Sequence, residues 1–523
     1  MEKTMKDYMN IPAEKFKLAD RGDKISDKKF ETKPVGYFKD AMIRFRKNKS
    51  SVVAAIIILI LFLYAIIVPF ISHFTINDRD GYYAKILPKS DLFAWAGWDG
   101  CNWQTKPQAG YDLYKGIGYE YGEPAVRKTR DRTVEESTGK AYYEIYLDSY
   151  AAVGFTYVDL SEEEYNALKA YQKQTKTQVC YPIANNYQIT YLNNTNAANL
   201  WYKLEDDFVT PTGQSTSTGA AAQHDENGEP IFENNYKVST SKNYGKYDSL
   251  RVKGNGDGEN GQYYVYAVKN QTGYKVRVLY SAYYEYLNGH APKFLFGANN
   301  YGQDIFTCMA VGARLSFLLA ISVSVLNFII GVVYGSIEGY YGGAIDLILE
   351  RISDVLSSVP FIVVATLFQM HLAQKVGPVI SLLFAFVLTG WLGIAYRVRT
   401  QFYRFKNSEY VLAARTLGAS DSRLIFRHIL PNSLGTIITG TILIIPGVIF
   451  EESMLSYLGI VSLETSNLTS IGTMLSNGQS SLATYPHIIL FPAAFISLLE
   501  ISFNLFGNGL RDAFNPSLRG ADE

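Results

Sequence analysis

Cysteine is scarce in this chain, with three among 523 residues, at positions 101, 180 and 308. So few, so unevenly spaced, exclude a disulfide-built scaffold. Cys101 and Cys180 share one polar stretch and are compatible with a single bridge, whereas Cys308 reads as an apolar filler. The six histidines are scattered without ligand spacing, so no metal site is expected. A net charge of zero removes the electrostatic case for a nucleic-acid partner. A phosphate cradle is missing as well: Gly-Lys occurs only at Gly139-Lys140 and Gly245-Lys246, followed by Ala141 and Tyr247, so no Gly-x-x-x-x-Gly-Lys-[Ser/Thr] loop exists. No catalytic residue is assigned.

Charge itself is absent from Val52 to Ile71, a run of 20 residues. At about 1.5 Å per residue that is enough helix to cross a hydrocarbon core of about 30 Å. A polar stretch precedes the run, so it reads as a retained anchor and not a cleaved leader. Arg44, Arg46, Lys47 and Lys49 lie just before it and put the N-terminus in the cytoplasm. The chain then divides into a cytoplasmic segment 1–50, a first membrane helix 51–72, an extracellular insertion 73–300 and a second membrane region 301–523. Five further helices are expected at 315–337, 354–372, 379–396, 434–458 and 487–507.

The insertion reads as β-rich. Alternation predicts strands at Tyr142–Tyr150, Tyr187–Leu192 and across QYYVYAV and YKVRVLY, the last two joined through Lys269 to Gly273. One helix is expected where Ser161 and Glu164 form a capping box ahead of YNALKAY. Thr210–Pro230 has too little apolar surface to offset its ordering entropy and reads as a mobile loop. NGDGENG, Asn255–Gly261, gathers acids and glycines, but Asn260 and Tyr266 stand where a calcium loop needs Gly and Glu, which favours a turn. Asn193 and Asn270 begin Asn-x-[Ser/Thr] triplets.

The connection 397–433 carries Arg397, Arg399, Arg404, Lys406, Arg415, Arg423 and Arg427 against Glu409 and Asp421, which agrees with a cytoplasmic position. Within it Tyr410, Ala413, Ala414 and Leu417 recur at helical spacing and make one small apolar face. Gly418 reads as a C-terminal cap, Ser420 or Asp421 as the cap of a second helix, and Pro431 as its end. Such a segment fits either a bilayer-surface linker or a dock for a cytoplasmic partner. The alanines favour a partner, since a lipid-facing helix gains more from Leu or Phe.

That segment resembles the coupling loop of the membrane subunits of binding-protein-dependent ABC importers, Glu-Ala-Ala, three residues, Gly, nine residues, Ile-x-Leu-Pro. Ala413, Ala414, Gly418, Leu430 and Pro431 fit, whereas Leu412 and His428 replace the Glu and the Ile. FGANNYGQDIFTCMAVGARLSF, EGYYGGAIDLILERISDVLSSVP, EESMLSYLG and FNLFGNGLRDAFNP extend the resemblance to the C-type subunit of oligopeptide and dipeptide permeases, from about Phe294 to Arg519. RFRKNKSS before the first helix also fits. The resemblance does not reach the insertion.

It implies an all-α polytopic protein of a bacterial plasma membrane, with six transmembrane helices in the ABC type I importer fold. It implies half of a peptide pathway, paired with a homologous permease subunit, two ATPase subunits that hold ATP and Mg, and an extracellular peptide-binding lipoprotein. This chain would carry no cofactor and no catalysis. Coupling would fall to Glu409, Tyr410, Ala413, Ala414, Leu417, Gly418, Arg423, Leu430 and Pro431. Among the membrane acids, Asp354, Glu451, Glu452 and Glu500, those at Glu452 and Asp354 are candidates for the pathway or the helix bundle. The rival reading is a receptor or adhesin acting through the extracellular domain, for which one helix would suffice as anchor.

Overall fold

A computed structural model describes residues 37–181, 223–232, 266–465 and 468–514. The short helix α1 (Tyr37–Lys47) leads into α2 (Lys49–Ile71), whose first turn is capped by the Asn48 side chain. Helices Lys49–Ile71, Ile305–Tyr341, Pro378–Phe405, Asp421–Tyr457 and His487–Phe514 are each long and apolar enough to cross a membrane.

The expected helix 354–372 is not one rod. Gly343–Ser357 and Phe361–His371 meet at a bend of 73°. Pro360 supplies the reason: it has no N–H to donate, and its ring pushes the residue before it out of helical geometry.

Between the first two long helices lie two antiparallel sheets. The first orders β1 (Cys101–Pro107), β3 (Ala141–Asp148) and β2 (Val126–Val134) as β1-β3-β2. The second places β7 (Tyr274–Leu279) between β4 (Phe155–Leu160) and β5 (Cys180–Tyr181), with β6 (Ala267–Lys269) also paired to β7. The Lys269↔Tyr274 pair closes the expected hairpin, and Asn270 Oδ1 accepts from the backbone N–H of Thr272 and Gly273 in its loop. Three helices pack on the sheets, at Gln108–Tyr121, Glu162–Thr175 and Tyr280–Asn288, so the described part is mixed α and β where a β-rich fold was expected. The capping box forms, and the Ser161 backbone N–H holds the Glu164 carboxyl below its usual range. Gln108–Tyr121 had no clear signal because its glycines lower helix propensity. Packing overrides that: Ile117 is fully buried, and Gly118 lies against the backbone of Pro124 and Ala125.

The expected strand Tyr187–Leu192 and the turn Asn255–Gly261 lie outside the described residues, as does most of Thr210–Pro230. Its described end is an ordered turn: His224 bridges Pro230, and His224 Nε2 sits 3.0 Å from both oxygens of buried Asp112. Cys101 and Cys180 are on different sheets and form no disulfide with each other, so the expected bridge does not form. Arg277 and Glu120 form a bidentate pair at 2.8 and 2.9 Å with neither side chain exposed.

The roots of the insertion are stitched to the segment between the last two long helices. Arg79 Nη2 donates to Glu464 Oε1 at 3.1 Å and Ser481 Oγ donates to Asn300 Oδ1 at 2.7 Å, while within the segment Asn477 Nδ2 braces Glu464 Oε2 at 2.9 Å. An aromatic cluster of Tyr83, Tyr150, Tyr284 and Phe294 fills the joint.

The main apolar core runs through the long helices and includes Cys308. Gly331, Gly335 and Gly339 form a ladder along Ile305–Tyr341 that receives Leu392–Phe405. A Cβ at Gly331 would lie 2.7 Å from Ile394 Cβ, one at Gly339 2.6 Å from Phe402 Cβ, and one at Gly335 would collide with the Ala395 carbonyl. Small residues at this spacing let membrane helices approach closely.

Candidate functional site

The connection between Pro378–Phe405 and Asp421–Tyr457 is a helix, a turn and a second helix. Glu409 opens the short helix Glu409–Thr416 and supplies its first-turn acid. Gly418 follows in the left-handed region at φ +82°, where a residue with a Cβ is strained. The turn is closed by Gly418 N–H to the Arg415 carbonyl at 3.0 Å and Ala419 N–H to the Ala414 carbonyl at 3.1 Å.

The short helix turns Tyr410, Ala413 and Leu417 of the expected patch outward and Ala414 partly inward. Val411 is its buried anchor, packed in a small core with Leu424, Ile425 and Ile429, and Ala414 lies half-buried against that core. Tyr410 and Ala413 face outward, and Leu417 is 88% exposed at the tip. The outward patch is therefore Tyr410, Ala413 and Leu417, with Ala414 beneath it. Arg423 is exposed beyond the turn.

Ser420 occupies the cap position of the second helix without a side-chain bond, and Asp421 instead accepts from the Tyr340 hydroxyl at 2.5 Å. Pro431 does not end this helix. A π-helical turn at Leu424–Ile429 precedes it, and the helix runs on to Tyr457. The wider turn accommodates a proline that has no N–H and crowds the carbonyl four residues before it. Asn432 Nδ2 donates to the His428 carbonyl at 2.9 Å and Ser433 Oγ to the Ile429 carbonyl at 3.0 Å. Leu430 is half-buried at this junction and Pro431 is exposed.

Sequence reading missed what holds the site up. Arg399, counted only as one of many positive charges, is the hub of an ionic cluster. Its Nε and Nη2 donate to Asp346 at 2.6 and 2.8 Å, its Nη1 to Glu350 at 2.9 Å, and Glu338 lies 3.5 Å away. The Tyr403 hydroxyl donates to Asp346 at 2.7 Å, and Lys406 Nζ donates to the Gly339 carbonyl at 3.1 Å. These bonds tie Gly343–Ser357 and the end of Ile305–Tyr341 to the helix that leads into the connection. The acids at 346 and 350 share one helix face, which was the available signal.

The membrane acids separate. Glu452 is fully buried, accepting from Ser316 Oγ and Ser456 Oγ, each at 3.0 Å. Asp354 is exposed and pairs with Arg351 at 2.8 Å, outside the packed bundle. Glu451 is exposed, and Glu500 has one buried oxygen with no hydrogen-bond partner among the described residues. Among the described residues no His, Cys, Asp and Glu group could hold a metal ion.

Comparison with known proteins gives two family matches. Residues 327–520 match the binding-protein-dependent transport system inner membrane component, and residues 36–88 match the N-terminal TM domain of oligopeptide transport permease C. The two stretches lie on either side of the sheet-bearing region. The chain is 43% identical over 224 residues to the oligopeptide transport system permease protein OppC of Bacillus subtilis, covering 43% of this chain and 72% of that one. Identity is 40% over 225 residues to the dipeptide transport system permease protein DppC of the same organism, covering 43% and 69%. It is 35% over 224 residues to OppC of Escherichia coli K12, covering 43% and 72%. Among solved structures, the inward-facing MetNI methionine ABC transporter has 15% identity and a TM-score of 0.34, covering 40% of this chain and 96% of that chain.

Proposed function

The chain belongs to the C-type permeases of the binding-protein-dependent ABC importers, and from that premise we propose that it forms half of a peptide translocation pathway. It is a polytopic membrane subunit without catalysis of its own. It works with a second permease subunit, separate ATPases that hydrolyse ATP, and a substrate-binding protein. The cargo we assign is an oligopeptide, following the relatives' names.

In this reading the connection 397–433 faces the cytoplasm and is the coupling element. The observation that carries it is Leu417: a leucine 88% exposed, at the tip of a helix whose inner side is anchored by fully buried Val411. An apolar side chain held out on a rigid, arginine-flanked turn is built to enter a groove on another protein. Glu409, Tyr410, Ala413, Leu417, Gly418 and Arg423 form the docking side, and Ala414, Leu430 and Pro431 shape its support. Movement of a docked ATPase would pass through the Arg399 cluster to the membrane helices as a rigid-body displacement.

The bent pair Gly343–Ser357 and Phe361–His371 supplies the sixth crossing, and residues 73–300 lie outside. The insertion stands on the segment between the fifth and sixth crossings and is placed to orient the binding lipoprotein at the pathway mouth. Glu452 serves the bundle and not the cargo. A receptor or adhesin needs one anchoring helix, and nothing in the fold favours it over an importer.

The test is gentle solubilisation of the native complex and identification of what remains bound in stoichiometric amounts. A second permease, ATPase subunits and a lipoprotein are expected. A chain that comes out alone from several mild detergents would overturn the coupling assignment.

A further inference from the structure

Leu92 to Gly97, LFAWAG, is the uncharged tip of a loop in the insertion. Leu92 is 73% exposed, Phe93 40% and Trp95 86%. The tip is not slack. It is a 3-10 turn at Ala94–Ala96 reversed by Gly97 at φ 92°, and Ser90 N–H donates to the Trp98 carbonyl at 2.8 Å across its base. The acids on either rim are already paired: Asp91 with Lys293 Nζ at 2.8 Å, and Asp99 with the Tyr146 hydroxyl at 2.8 Å. An ordered turn thus holds Leu92 and Trp95 outward, with Phe93 half-exposed against the Trp98 ring at 5.3 Å.

The base of the loop shows what covers them. Trp98 meets Phe296 and Phe491 edge-on, each at 5.6 Å, and those two rings stack at 4.2 Å and 7°. Phe491 belongs to the first turns of the membrane-spanning helix His487–Phe514. Its neighbour Leu490 is 61% exposed, and further along the same helix Leu498 and Ile501 are 43% and 58% exposed. The base of the apolar tip therefore packs on the first turns of a span that has exposed apolar residues beside and beyond the contact. For a helix that crosses the bilayer, its first turns lie at the membrane–water interface, where tryptophan is favoured because its ring has an apolar body and a polar N–H.

We propose that Leu92, Phe93 and Trp95 dip into the outer leaflet of the lipid bilayer, giving the insertion a foothold on the membrane besides its two chain connections. The inference rests on the reading that residues 73–300 are extracellular. Protease access to the insertion from outside intact cells tests that orientation separately.

The test uses the intact complex in nanodiscs of phosphatidylcholine with or without bromine near the top of the acyl chains. The chain has five tryptophans, so the fluorescence difference between the wild type and Trp95→Phe isolates Trp95. Bromolipid should quench that difference about twofold or more, while aqueous iodide leaves it nearly unchanged. Iodide quenching without bromine quenching places the tip in water and overturns the proposal. A signal reached by neither quencher means that a protein covers the tip, and overturns it too. Leu92→Trp in the otherwise wild-type chain adds a tryptophan to the same tip, and its difference from the wild type repeats the measurement if Trp95→Phe assembles poorly.

Discussion

Arg399 grips both carboxylate oxygens of Asp346, through Nε at 2.6 Å and Nη2 at 2.8 Å, across 53 residues of chain. The guanidinium fork matches a carboxylate in a way that a lysine ammonium cannot. Glu350 takes a third donor at 2.9 Å, so one side chain fixes the helix before the docking turn against the amphipathic half of the bent pair. In the proposed mechanism this is where motion of the turn becomes motion of the bundle.

Arg399→Lys should therefore keep the chain in the membrane and its ATPases bound, yet slow peptide uptake. Loss of one geometry-specific interaction worth about 1.4 kcal/mol would lower transport on the order of tenfold. Asp346→Asn should do the same. Uptake at the wild-type rate in both variants, normalised to assembled complex, would show that the cluster is scaffolding alone.

The docking turn separates surface from support. Leu417→Asp places a charge on an exposed tip, so the chain should reach the membrane normally while ATPase retained per permease after mild solubilisation falls. Ala414→Asp puts the charge against the Val411 core and should lower the amount of chain itself. Gly418→Val strains the turn by about 1–2 kcal/mol because φ is +82°. Full ATPase retention with Leu417→Asp would sink the coupling assignment.

What could be read from sequence was local. The Ser161–Glu164 capping box, the hairpin at Asn270–Gly273 and the glycine turn at 418 each depend on residues a few positions apart, and each formed. The miss at Pro431 has a local cause read too strongly: proline was taken as a stop, but a π turn and the Asn432 and Ser433 side chains absorb it. Other misses were tertiary. Val411 was given no role from sequence, and only its contact with Leu424 and Ile425 makes it the anchor of the short helix. The Arg399 hub joins three helices, and the fully buried Arg277–Glu120 pair spans 157 residues, so no window along the chain contains either.

Glu452 offers a test between bundle and pathway. Two serine hydroxyls donate to it in a fully buried site, and Gln at this position keeps a carbonyl acceptor. Glu452→Gln should assemble and transport nearly as the wild type does. Glu452→Ala leaves the Ser316 and Ser456 hydroxyls unpaired at about 1–3 kcal/mol each, so thermal stability in detergent should fall while uptake per surviving molecule holds. Normal stability with uptake abolished in Glu452→Gln would place the carboxylate on the pathway instead.

The Arg277–Glu120 pair makes the role of the insertion testable without cutting it out. Both side chains are fully buried, and Arg277 also lies over the Phe155 ring at 4.1 Å, between the two sheets' helices and strands. Removing one partner breaks a buried bidentate ion pair, a loss of about 3–5 kcal/mol, whereas replacing both with apolar residues of similar volume is often neutral. Glu120→Leu alone should make the insertion protease-sensitive in otherwise intact membranes, and Glu120→Leu with Arg277→Met should restore resistance. The pair lies on a helix and a strand of the sheet-bearing region, away from the long helices and the proposed docking turn, so the ATPases should stay bound in the single variant. If the insertion orients the binding lipoprotein, uptake should fall most at low lipoprotein concentration and recover as the lipoprotein is raised. Uptake equal to wild type at every lipoprotein concentration, with the insertion demonstrably unfolded, would separate this domain from import.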